Sequence, residues 1–217
     1  MKIRNLVILL TTVTFTLATP FTQAAEQTLN HEILFLGDSI TFGLWVKTDQ
    51  AFPALLQNKL LADGINNVKI ISAGLPGAKT TTAVSRLKAY IASTPGLTSL
   101  VLELGANDGM EGAELFNIHL NLRNTIDLAE QNHLSVLILG MKLPLNYEPA
   151  YRQVFEQIFS DVAEETQSLL VPYLLEGVGG IPSLNVSDGL HPNPAGHIIL
   201  SETVYPYLRL LLERPRP

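Results

Sequence analysis

The sequence predicts an α/β protein, a three-layer α/β/α sandwich on a five-stranded parallel sheet. Three observations carry that expectation. Five short apolar runs recur along the chain, amphipathic helical patterns alternate with them, and neither an internal repeat nor a linker interrupts the series. A chain of 217 residues with 47% hydrophobic and 16% charged residues suits one domain with a sizeable core.

The apolar runs are EILFL (32–36), VKIIS (68–72), SLVLEL (99–104), SVLILG (135–140) and SLLVPYL (168–174). They are nearly continuous and rich in Leu, Ile and Val, as strands buried on both faces of a parallel sheet must be. The first helical pattern, FPALLQNKLLADG (52–64), has Pro53 near its start and Gly64 after its end. The second, residues 80–93, opens on threonines and places Val84, Leu87 and Ile91 on one face. Residues 113–131 keep Leu115, Leu122, Ile126 and Ala129 in helical register, and 149–166 and 195–213 complete the alternation. Residues 175–195, dense in Gly, Pro, Asn and Asp, read as one long loop, and long loops in compact domains are often functional.

Ahead of the first strand, Lys2 and Arg4 precede an apolar run from Leu6 to Ala18, then Pro20 and the small residues Ala24 and Ala25. This is the layout of a secretory signal peptide, too short for a comfortable membrane span. The expected organisation is a signal peptide over 1–24 and a single domain over 25–217, exported to the periplasm or beyond by a bacterium. An uncleaved anchor is the alternative; with cleavage, no stable membrane insertion is expected. Losing Lys2 and Arg4 takes the formal charge from −6 to −8, and no Lys/Arg run exists, so a nucleic-acid partner is not expected. The absence of cysteine removes disulfides, thiolate metal sites and a cysteine nucleophile together.

In a parallel α/β sheet, ligands bind beyond the carboxyl ends of the strands, so reactive residues should follow the strands. Ser39 lies three residues after Leu36; taken alone it reads as a helix N-cap, and in context as a nucleophile. After the second run comes Ser72-Ala73-Gly74-Leu75-Pro76-Gly77, where a glycine can leave its N–H open to a ligand. After the third comes Gly105-Ala106-Asn107-Asp108-Gly109, either an Asx turn or a source of an amide donor. Asp188 precedes His191 by three residues in the long loop. A carboxylate so placed can fix one imidazole nitrogen and leave the other to take a proton from a serine. A metal site from Asp188, His191 and His197 is poorly supported, because Pro192 and Pro194 break helical spacing and His197 should face solvent or pack locally.

Taken in order, Gly37-Asp38-Ser39-Ile40, Gly105-Ala106-Asn107-Asp108 and Asp188-Gly189-Leu190-His191 resemble the blocks of the GDSL, or SGNH, hydrolase family. The resemblance spans the whole mature chain. It is strongest to the bacterial periplasmic group with acyl-thioesterase, lysophospholipase and arylesterase activity. It implies the flavodoxin-like SGNH hydrolase fold and a serine esterase that cleaves carboxylic esters or thioesters through an acyl-enzyme on Ser39. It further implies His191 as base and acid, Asp188 as its orienter, and an oxyanion hole of the Ser39 N–H, the Gly77 N–H and the Asn107 amide. Met110, Leu143 and Tyr147 are candidates to line an acyl groove. No metal and no cofactor is called for, and the partner is a small-molecule ester or thioester acted on by a monomer. A carbohydrate O-acetylesterase with the same catalytic residues is the enzymatic alternative, and a secreted binding module the non-enzymatic one.

Overall fold

The computed structural model describes residues 31–215 and Pro217, so the expected signal peptide lies outside the described residues. Five strands form one sheet in the order β2-β1-β3-β4-β5, with β1 at His31–Gly37, β2 at Val68–Gly74, β3 at Leu97–Glu103, β4 at Ser135–Leu139 and β5 at Leu169–Val171. Every pairing is parallel. Strand order reverses beside β1, which has β2 on one side and β3 on the other, so the crevice between the β1 and β3 ends is where a ligand should sit.

The three central strands read as predicted: Ile33 to Leu36, Leu100 to Leu102 and Val136 to Leu139 are all buried. β2 differs, because it is an edge strand and Lys69 and Ser72 face solvent. β5 is shorter than its apolar run, since Pro172 has no N–H to continue the ladder. On one face α2 (Phe52–Ala62) packs against α7 (Pro194–Glu213); on the other α5 (Leu115–Gln131) lies between α3 (Ala83–Ser93) and α6 (Pro149–Thr166). The expected helix over 80–93 opens with a 3-10 turn at Thr80–Thr82 before α3 begins. Among the described residues no helix is long and apolar enough to cross a membrane.

Two short helices follow the central strands: α1 (Ser39–Phe42) after β1, where a helical start at Ser39 is expected, and α4 (Ala106–Met110) after β3, in the segment offered as an Asx turn. Each is too short to show a hydrophobic period, so pattern alone cannot find it. α1 presses onto the end of β2 so closely that a Cβ on Gly74 would strike the backbone of Thr41 and Phe42. Gly37 faces the same crowding from the Thr41 side chain and the Glu103 carboxylate. These two glycines let three chain segments converge where β1, β2 and β3 end.

Candidate active site

Asp38, not Ser39, caps the short helix: its Oδ1 accepts from the Ile40 N–H at 2.9 Å. Relieved of that task, the Ser39 side chain turns towards the long loop, where His191 Nε2 lies 2.8 Å from Ser39 Oγ. His191 Nδ1 lies 2.7 Å from Asp188 Oδ2. The other Asp188 oxygen accepts from the Leu190 and His191 N–H groups at 2.9 and 3.0 Å. Burial alone would raise the Asp188 pKa, but those two N–H groups and the imidazole together hold it below its ordinary value. Asp188 is therefore an ionised acceptor, which fixes a proton on Nδ1 and leaves Nε2 free to take one from Ser39.

The loop that presents the pair is braced locally. Val186 N–H donates to the His191 carbonyl at 2.9 Å, and Asn185 bridges to Pro192 as a single antiparallel pair. Gly189 occupies the left-handed region at φ 71°, the turn that brings Asp188 back over His191. Asn193 then caps α7 through the Ala195 and Gly196 N–H groups. Prolines 192 and 194 thus set a stiff lead-in to the last helix.

The second and third blocks are tied to each other and to Asp38. Asn107 Nδ2 donates to Asp38 Oδ2 and to the Ala78 carbonyl, both at 3.0 Å. Asp108, a buried residue of α4, accepts from the Thr80 N–H at 2.9 Å and from Thr80 Oγ1 at 2.7 Å. Leu75 to Ala78 close a turn through the Ala78 N–H, 3.0 Å from the Leu75 carbonyl, with Gly77 at φ 74° after Pro76. Among the described residues neither the Ser39 N–H nor the Gly77 N–H donates to any acceptor. The Asn107 amide, by contrast, has both hydrogens engaged.

Glu103 is the part of the site that motif reading missed, although a lone carboxylate in the apolar run VLELG was its visible signal. It is fully buried behind the serine turn. Its Oε2 accepts from the Asp38 N–H at 3.1 Å, the Thr41 N–H at 3.3 Å and Thr41 Oγ1 at 2.8 Å, while its Oε1 has no partner. Burial, with the Asp38 charge beside it, pushes the Glu103 pKa well above the ordinary carboxylate range; burial likewise raises that of Asp38. Arg86 reaches in from α3 and donates to the Gly37 and Ala73 carbonyls. The neutral Glu103 carboxyl can donate from its otherwise orphaned oxygen to Asp38, which completes the network.

A cavity of about 540 Å³ opens beside Ser39 and His191. Met110, Met141, Leu143, Pro144, Leu145 and Leu175 give it an apolar wall, and Lys142 and Arg152 also line it. Met110 and Leu143 are thus at the cavity, as expected. Tyr147 is not among the lining residues; its hydroxyl donates to the Met110 carbonyl at 2.9 Å and holds that wall from behind. Gly77 does not line the cavity either. His197 is buried rather than solvent-facing. Its Nδ1 accepts from the Phe52 N–H at 3.2 Å, and its ring stacks on Phe52, so it packs locally. Among the described residues no group of three or more His, Cys, Asp or Glu side chains is placed to hold a metal ion.

The chain is similar to known proteins in both sequence and fold. The model of the GDSL-like Lipase/Acylhydrolase family matches residues 35–199. Esterase TesA of Pseudomonas aeruginosa is 38% identical over 191 residues, covering 88% of this chain and 92% of that protein. Thioesterase 1/protease 1/lysophospholipase L1 of Escherichia coli K12 is 31% identical over 173 residues, 80% of this chain and 79% of its own length. A crystal structure of TesA superposes with a TM-score of 0.80 at 36% identity, covering 83% of this chain and 99% of the other.

Proposed function

The chain belongs to the GDSL-like lipase/acylhydrolase family and is an ester-hydrolysing serine hydrolase, and from that premise we propose that Ser39 is its nucleophile, with His191 as base and Asp188 as the orienting carboxylate. The observation that carries the reading is the unbroken relay from Asp188 Oδ2 through His191 to Ser39 Oγ, with contacts of 2.7 and 2.8 Å. Ser39 Oγ attacks the carbonyl carbon while His191 Nε2 takes its proton. The resulting imidazolium, stabilised by Asp188, returns that proton to the leaving alcohol or thiol. Water then attacks the acyl-enzyme with His191 again as base, releasing the acid and free Ser39.

The Ser39 and Gly77 N–H groups and the Asn107 amide form the oxyanion hole in this proposal. The two backbone donors support it by having no acceptor of their own. Asn107, which lines the cavity, takes part by sharing the hydrogen that it now gives to the Ala78 carbonyl. Each such donor lowers the barrier by roughly 3–4 kcal/mol.

The substrate class is an acyl ester or thioester, because an apolar wall beside the serine fits an acyl chain better than a sugar. The mature enzyme, residues 25–217 after removal of 1–24, works as a monomer in the periplasm or outside the cell on small-molecule substrates. The Ser39→Ala variant tests the assignment: it should fold normally and lose turnover of p-nitrophenyl acyl esters. Retained turnover would end the proposal. A rate profile from acetyl to palmitoyl esters tests the substrate class, and a sharp preference for acetyl would favour an O-acetylesterase.

A further inference from the structure

Ester hydrolysis leaves one feature of the cavity unused. Arg152, in the first turn of α6, lines the cavity, yet its guanidinium makes no hydrogen bond and no ion pair among the described residues, and its Nε is buried without an acceptor. Every other described arginine has at least one partner: Arg86, whose Nη1 is also buried without an acceptor, on the Gly37 carbonyl, Arg123 on Asp127 and Glu165, Arg209 on Asp63, and Arg214 on the Gln167 carbonyl. Glu156 lies one helical turn after Arg152, where an ion pair within the helix would form. It pairs instead with Lys142 at 2.7 Å, and Lys142 in turn sits over the Tyr173 ring. The one carboxylate that lines the cavity is Asp38, whose oxygens are taken by Ile40 and Asn107.

An unpartnered arginine therefore faces the cavity of a protein whose formal charge is −6. The enclosed Nε is out of reach, but the two Nη groups also lack an acceptor in the protein and are not enclosed, so they are the donors that an oxygen of a ligand in the cavity can meet. We propose that Arg152 is an anion subsite, so that the preferred substrates are esters carrying a carboxylate or phosphate remote from the scissile carbonyl. This rests on the Ser39 reading of the same site. The anion has two possible positions, the far end of the acyl chain or the leaving group, and both present oxygens that a guanidinium binds in a fork.

The test compares kcat/KM for two matched pairs on the whole protein. One pair is p-nitrophenyl hexanoate and the p-nitrophenyl monoester of adipic acid; the other is 1-lauroylglycerol and 1-lauroylglycerol 3-phosphate. The ratio of anionic to neutral kcat/KM should fall on the order of 10- to 100-fold in Arg152→Met for the pair that carries the anion where Arg152 can reach it, mostly through KM. Arg152→Lys should recover part of that ratio, and added salt should lower it in the unmodified protein. An unchanged ratio in both pairs, or a ratio insensitive to both salt and Arg152→Lys, overturns the proposal. Loss of the Ser39 reading would show separately, as turnover of the neutral esters by Ser39→Ala.

Discussion

His197 gives a quantitative prediction about acid stability. Its ring is buried at 1% exposure, stacks on Phe52 and accepts the Phe52 N–H, which only a neutral imidazole can do. Burial, helped by the nearby His191 charge, lowers its pKa from 6.5 to about 4. The unfolded chain therefore binds a proton between those values that the folded chain does not, so stability is lost as pH falls from 6.5 towards 4. At about 1.4 kcal/mol per pH unit the loss reaches about 3 kcal/mol by pH 4. Glu103 and Asp38, whose pKa values are raised, act with the opposite sign over the acid range, so one protein's curve mixes the contributions. The variant His197→Asn separates them, because an amide oxygen can accept from Phe52 and does not titrate. As pH falls from 7.5 to 4, the difference between the urea unfolding free energies of the two proteins should shift by about 3 kcal/mol in favour of His197→Asn. Parallel curves would refute a neutral His197.

Three further outcomes follow from the site. Asp188→Asn should keep the fold and lower kcat for p-nitrophenyl esters on the order of 10³- to 10⁴-fold, since the orienting acceptor for Nδ1 is lost; steady-state kinetics with little change in KM would agree. Glu103→Ala should destabilise the protein by roughly 3 kcal/mol or more, because three buried donors lose their acceptor, whereas Glu103→Gln keeps an acceptor and a donor. The raised Glu103 pKa means that the folded chain binds the extra proton, so the unmodified protein loses stability as pH rises above the ordinary carboxylate range. Glu103→Gln should therefore gain on the unmodified protein between pH 5 and pH 8 in chemical denaturation; a gain on acidification instead would contradict a neutral Glu103.

Much of the architecture was legible because buried parallel strands and amphipathic helices have strong local signatures. The pattern over 149–166 coincides with α6, and that over 52–64 overruns α2 by two residues. What local pattern could not supply was the role of short elements and of single polar residues. Ser39 alone resembles a cap, and only the neighbouring Asp38, by taking the cap itself, frees the hydroxyl. The roles of Glu103 and Asp108 could not be read from local pattern, because their partners, Thr41 and Thr80, are distant in sequence and meet them only at the strand ends. Arg152 shows the same limit from the other side. Its sequence context is an ordinary amphipathic helix with an acid four residues on, and only the fold gives that acid to Lys142.

The account turns on Ser39 as the residue that becomes acylated. A fluorophosphonate probe with the intact protein, followed by mass spectrometry of the adduct and its peptides, measures this directly. The account predicts one probe per chain, attached to Ser39, with labelling much slower in His191→Ala and absent in Ser39→Ala. Stoichiometric labelling at another residue, or labelling of Ser39 at an unchanged rate without His191, would contradict it.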